Sequence, residues 1–176
     1  NASLAVSGSD ARLLTAHTGD TIFALGNTIS TKNVLSVSTD AGQNWSNGNP
    51  IFQNLIDGQL ATVSQIACNG ARLYAQVNLS SSLYNNLYYY SDDLGATWTI
   101  DTAGLDPAFN PTYKAAYRMK VLSGGYLVAF SDFYGAFFKH INDNSWTQHL
   151  TYSSWNQKGN LDFTYVGNTW YALNLG

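Results

Sequence analysis

The chain has 176 residues, 45% of them hydrophobic and 14% aromatic, only 11% charged, with a formal net charge of -3. That length suits one domain or a piece of a larger one, and 8 basic against 11 acidic residues form no basic stripe, which argues against a nucleic-acid binder. No apolar run approaches the ~18 residues of a membrane-spanning helix.

Every acid is an aspartate and glutamate is absent, an alphabet of strands and turns rather than of long surface helices. In chain order, Ser3-Leu4-Ala5-Val6-Ser7 offers one short strand. Leu13-Leu14 then leads through Gly19 to Thr21-Ile22-Phe23-Ala24, and Val34-Leu35-Ser36-Val37 makes a third run, with a short fourth after Trp45. The order returns with Val63 and Ile66, Gly70, Leu73-Tyr74-Ala75, Leu87-Tyr88-Tyr89-Tyr90 and a run after Trp98. It returns again with Met119 and Val121, Gly124, Leu127-Val128-Ala129, Ala136-Phe137-Phe138 and a run after Trp146; Phe163, Val166, Gly167 and Trp170-Tyr171-Ala172 begin a fourth unit.

The unit glycines lie 51, 54 and 43 residues apart, within the periods of propeller blades. The repeat predicts an all-β fold, a β-propeller of four-stranded antiparallel blades, with about three and a half blades in this chain. The units span residues 11–50, 61–104, 115–150 and 160–176 of a single segment, 1–176, and residues 1–10 supply a possible closing strand. A two-sheet sandwich would explain the alternation but not the period.

Two segments share one pattern, S-x-D-x-G-x-[T/N]-W: Ser38-Thr39-Asp40-Ala41-Gly42-Gln43-Asn44-Trp45 and Ser91-Asp92-Asp93-Leu94-Gly95-Ala96-Thr97-Trp98. Each reads as a staple on the hairpin between the third and fourth strands. Its Asp accepts from backbone N–H groups of its own turn, its Gly takes positive φ, and its Trp packs on its own blade with an N–H that needs a partner. The octets resemble the Asp-box, or BNR, repeat of the sialidase superfamily of β-propellers; Asn44 stands where that family usually has Thr. In unit three Trp146 is kept, but Asn142-Asp143-Asn144-Ser145 departs from the spacing, so that staple is degenerate or lost. The resemblance implies Ser38, Asp40, Gly42, Trp45, Ser91, Asp93, Gly95 and Trp98 as structural residues on the blade rim. It covers sialidases, receptors, photosystem assembly factors and exported bacterial proteins without known activity, so it indicates fold and does not choose a function. Its usual six to eight blades imply a fragment of a longer chain, or a propeller completed by a partner chain.

In a four-stranded meander the 2–3 and 4–1 connections share one face, which here carries the long loops. Such loops are where binding tends to reside. Tyr84, Asn85, Asn86, Tyr113 and Trp155 lie in them, aromatics beside amides that suit a sugar ring or a polar protein epitope; packing between blades would use the same residues. Arg12 and Arg118 stand near the start of their first strands and could converge on a carboxylate, as the arginine cluster of sialidases does. Arg72 begins a second strand and is expected on the opposite face.

The missing glutamate removes the partner of the sialidase nucleophile, and Asp57, Asp101 and Asp106 read as surface or turn residues rather than as an acid and base pair. His17, His140 and His149 lack zinc-ligand spacing, and Cys68 reads as a small buried thiol. No catalytic residue, metal or cofactor is implied. The expectation is an exported or surface module, extracellular and bacterial in character, that binds glycan or protein without catalysis. Two alternatives stay open: a sialidase-like glycoside hydrolase fragment, and a structural subunit that completes its ring with a partner chain.

Overall fold

A computed structural model describes residues 13–26, 33–46, 49–53, 56, 61–79, 86–105, 118–122, 125–131, 135–150, 160–166 and 169–175. Fourteen strands lie among the described residues: β1 (Leu13–Thr18), β2 (Thr21–Gly26), β3 (Val34–Ser38), β4 (Asn49–Pro50), β5 (Ala61–Asn69), β6 (Arg72–Leu79), β7 (Asn86–Ser91), β8 (Thr99–Ile100), β9 (Arg118–Leu122), β10 (Tyr126–Ser131), β11 (Gly135–His140), β12 (Thr147–Leu150), β13 (Asn160–Val166) and β14 (Thr169–Leu175). They form three four-stranded sheets in sequential order, β1-β2-β3-β4, β5-β6-β7-β8 and β9-β10-β11-β12, and a two-stranded sheet, β13-β14. The proposed closing strand, Ser3–Ser7, lies outside the described residues.

The second strand of each four-stranded sheet is its most buried. Phe23, Ala24 and Leu25 in β2, Leu73 to Val77 in β6, and Leu127 to Ala129 in β10 are all shielded, because both faces of these strands are covered. Continuous apolar runs are what such strands require. The outer strands are short: β4 and β8 have two residues each.

Chain contacts divide the protein into two compact units, Asn1–Ser81 with Leu87–Ile100, and Ser82–Asn86 with Asp101–Gly176. In the first unit, β1 runs beside β5. Phe23, Leu25 and Leu35 of the first sheet share a core with Val63, Ile66, Leu73, Ala75 and Val77 of the second, flanked by Val37, Leu87, Tyr89 and Trp98. Buried Asn33 joins the two sheets. Its Nδ2 donates to the Ala61 carbonyl and its Oδ1 accepts from the Val63 N–H, both at 2.9 Å, while its own carbonyl receives the Ile51 N–H. Phe52 fills the space above the second sheet, its ring 4.9 Å from Tyr89 and 5.0 Å from Trp98, so this loop aromatic is a packing residue. Cys68 is half-buried in β5 rather than fully enclosed, and burial pushes its thiol pKa up.

In the second unit, Leu122, Val128 and Ala136 form a small core with Tyr126 and Phe138 against it. β13 lies along β9. The register of β11 against β12 slips between Ala136 and Phe137, which leaves His149 as the extra residue of a bulge.

Candidate functional site

The two octet turns are the best-defined polar constellations among the described residues. Each is built on a turn with φ above zero at both central residues, 56° and 86° at Ala41-Gly42, 58° and 89° at Leu94-Gly95. In each, the residue after the glycine donates to the Asp carbonyl, Gln43 to Asp40 and Ala96 to Asp93, at 3.2 Å. That is the geometry of a type I′ turn. Ser38 Oγ donates to Asp40 Oδ1 at 2.8 Å and accepts the Gly42 N–H; Ser91 does the same for Asp93 and Gly95. The Asp then holds the far side of the loop. Asp40 accepts both the backbone and the side-chain N–H of Asn44, and Asp93 accepts the Thr97 N–H and hydroxyl. The indole N–H of each Trp goes to the glycine carbonyl, Trp45 to Gly42 at 3.1 Å and Trp98 to Gly95 at 3.0 Å. Asn44 thus does through its amide what Thr97 does through its hydroxyl.

These donors stabilise the charged carboxylates. The Thr97 hydroxyl and N–H, with Ser91, draw Asp93 down to about 2. The Asn44 N–H and amide, with Ser38, lower Asp40 as well. Both groups are turn braces whose oxygens are spent on their own loop.

The third turn is built differently. Lys139 stands seven residues before Trp146, as Ser38 and Ser91 stand before Trp45 and Trp98. Its ammonium pairs with Asp101, and both side chains are buried, 4% and 5% exposed. Trp146 donates its indole N–H to the Asp101 carbonyl at 2.9 Å and its backbone N–H to Ala103. A staple that is local in the first two sheets is here made with the preceding chain segment. Asp101 is therefore neither a surface nor a turn residue: its carboxylate is buried and paired with an ammonium. Its Oδ2 has no partner among the described residues. Beyond the Trp, His140 Nδ1 accepts the Asn142 N–H at 3.2 Å and Asp143 accepts the His140 N–H at 2.9 Å. The matching offset to Trp was the sequence signal that could have found Lys139; Asp101, 38 residues away, left none.

Arg72 sits at the tight-turn end of the second sheet. Its guanidinium grips Asp92 through two bonds of 2.6 and 2.8 Å and lies 4.3 Å over the Tyr90 ring. The ion pair with Asp92 raises its pKa.

A groove of about 520 Å³ opens on the third sheet, lined by Tyr126, Phe138, His140, Asp143, Thr147 and His149. The His140 ring stands 5.0 Å from Tyr126 and His149 stands edge-on to Phe138 at 5.2 Å. Tyr126 begins β10 and His140 ends β11, so the groove lies toward the tight-turn end of the sheet, away from the long connections where ligand residues were expected. Of those, Arg12, Tyr84, Asn85, Tyr113 and Trp155 lie outside the described residues, as do Asp57 and Asp106. Arg118 opens β9 and Asn86 opens β7, with their side chains outside the description. No group of three or more potential ligands that could hold a metal occurs among the described residues, and no described helix is long and apolar enough to cross a membrane.

No family model matches the sequence, and no curated protein does. Solved structures match. A structure described as YCF48 bound to D1 peptide superposes with a TM-score of 0.60 at 16% identity, over 98% of this chain and 49% of that one. The fold is a β-propeller. YCF48 from Cyanidioschyzon merolae matches with a TM-score of 0.54 at 15% identity, over 91% of this chain and 46% of that one. The chain thus spans about half the length of each of these propellers. At such identity the likeness concerns architecture, and the four-stranded sheets in sequential order are its local counterpart.

Proposed function

We propose that this chain is a binding or scaffolding propeller module whose long-loop face grips a stretch of another protein and carries out no bond chemistry. The observation that carries the reading is that six of the described charged groups are engaged within the chain. Asp40 and Asp93 brace their turns, Asp92 holds Arg72 and Asp101 holds Lys139. Charges invested in rigidity suit a platform. The peptide held by one of the matched YCF48 structures supports a protein ligand over a glycan.

On this reading the two octets are Asp boxes that stiffen a single segment, and Arg12, Arg118, Tyr84, Asn85, Asn86, Tyr113 and Trp155 supply the ligand contacts. The neutral, Asn- and Ser-rich composition supports a place outside a bacterial cell. Parallel peptide and glycan arrays probed with the purified chain test the function. Peptide signal that falls in Arg118→Ala and Trp155→Ala, with an unchanged melting temperature, is the expected result. Binding confined to glycans, or release of fluorophore from a sialoside or glucoside by this chain, would overturn it.

A further inference from the structure

We propose that Trp146, together with the Lys139–Asp101 pair, is a positioning device for the long-loop face: it fastens residues 101–105 and so fixes the root of the connection that leads to Arg118. The inference rests on the peptide-binding reading above and names residues outside the binding face that set its affinity.

Each of the three turn tryptophans has one indole N–H to place. Trp45 and Trp98 give theirs to the glycine carbonyls of their own turns. Trp146 gives its own to the carbonyl of Asp101, 45 residues away, and its backbone N–H to Ala103 at 2.8 Å. The segment held in this way is tightly seated. The Asp101 carboxylate pairs with Lys139, the Leu105 N–H closes a turn onto the Thr102 carbonyl at 3.0 Å, and Leu105 itself is fully buried. Gly104, at φ of 85°, lies so near Trp146 that a Cβ would fall 2.1 Å from its carbonyl oxygen.

The arrangement has a counterpart in the first unit. There the chain leaving β4 is held at once: the Ile51 N–H goes to the Asn33 carbonyl at 2.9 Å, and the Phe52 ring packs 5.0 Å from Trp98 of the next sheet. In both cases the stretch after an outer strand is seated on the tryptophan of the following sheet before the long connection begins. Residues 106–117, which include Tyr113, follow Leu105 in the sequence and precede Arg118, the first residue of β9. A connection with both ends fixed samples far fewer arrangements than one with a loose root, and a face ordered beforehand binds at lower entropic cost. Trp146, Lys139 and Asp101 thereby tune affinity without touching the ligand.

The test compares Trp146→Phe with Trp45→Phe, using a fluorescein-labelled copy of the strongest peptide from the array and hydrogen exchange on each chain. Each substitution removes one indole N–H bond, but only the first loosens residues 101–105. Trp146→Phe is expected to weaken peptide binding about fivefold or more and to speed exchange at the Leu105 amide, with the β10 amides still protected. Trp45→Phe should bind as the native chain does. Thr102→Gly combined with Ala103→Gly loosens the same segment without altering the third sheet, and should weaken binding in the same direction should Trp146→Phe unfold. Binding that is unchanged in the glycine variant and in folded Trp146→Phe, or that falls equally in Trp45→Phe, would overturn this inference alone. No peptide signal from the native chain would overturn the function on which it rests, and this inference with it.

Discussion

Alanine placed at three left-handed glycines should cost stability in the order Gly42, Gly95, Gly104, for reasons that differ at each. All three have φ between 85° and 89°, so each loses backbone comfort worth about 1–2 kcal/mol. At Gly42 that is the whole effect, because a Cβ would meet only Ile22 Cδ1 at 3.6 Å and Trp45 Cζ2 at 3.8 Å. At Gly95 the Cβ falls 2.2 Å from Leu35 Cδ2. Leu35 is buried, so its methyl can swing away only by disturbing packed neighbours, which adds about 1–3 kcal/mol. At Gly104 the obstacle is backbone: the Trp146 carbonyl oxygen at 2.1 Å and nitrogen at 2.9 Å. Neither can rotate aside, and moving them loosens the Trp146 N–H bond to Ala103. With about 2–4 °C per kcal/mol for a chain of this size, Gly42→Ala should lower the melting temperature by about 5 °C, Gly95→Ala by about 10 °C, and Gly104→Ala by more. Thermal denaturation followed by circular dichroism, with hydrogen exchange to assign each loss to its unit, measures the series. In a Leu35→Ala background, Gly95→Ala should cost no more than Gly42→Ala. Equal costs at Gly42 and Gly95 in the native background, or a mild Gly104→Ala, would refute the close approaches on which the ranking rests.

Leu94 takes φ of 58° while 42% exposed; Leu94→Asn should stabilise by about 0.5–1 kcal/mol in urea unfolding, because Asn tolerates that conformation better. Lys139→Met leaves Asp101 buried and unpaired and should destabilise by about 3–5 kcal/mol, whereas adding Asp101→Leu should restore most of the loss; a thermodynamic cycle of the two substitutions reads this directly. Asp93 is held at about 2 and the unfolded chain binds that proton near pH 4, so its contribution is complete above about pH 4 and is lost as pH falls towards 2. Acid titration of stability should therefore have a shallower slope in Asp93→Asn over that window, and an unchanged slope would count against the bracing role.

The strands were legible because the repeat is written in short-range features. A glycine, an apolar run and a tryptophan at steady offsets predict hairpins wherever two such runs meet across a tight turn, as at Gly19 and Gly70. The bracing of Asp40 and Asp93 was legible for the same reason, since every partner lies within four residues. The turn type was harder to read, because Ala41 and Leu94 carry positive φ without being glycine or asparagine. What the sequence concealed is long-range. Asn33 binds Ala61 and Val63 across two sheets, and Lys139 finds Asp101 through a distance that no local pattern encodes. The groove was hidden too, because it gathers Tyr126, Phe138 and His149 from three different strands, which no local pattern brings together.

The buried pairing of Lys139 with Asp101 sets an order on how the chain can assemble. The turns at Asp40 and Asp93 close rings of a few residues and can nucleate as soon as their octets exist. The turn before Trp146 waits for a contact 38 residues away, at an additional loop-closure cost of about 1.5 kcal/mol relative to a ring of about seven. That contact therefore closes later than the two local turns, whatever the order in which the sheets themselves form.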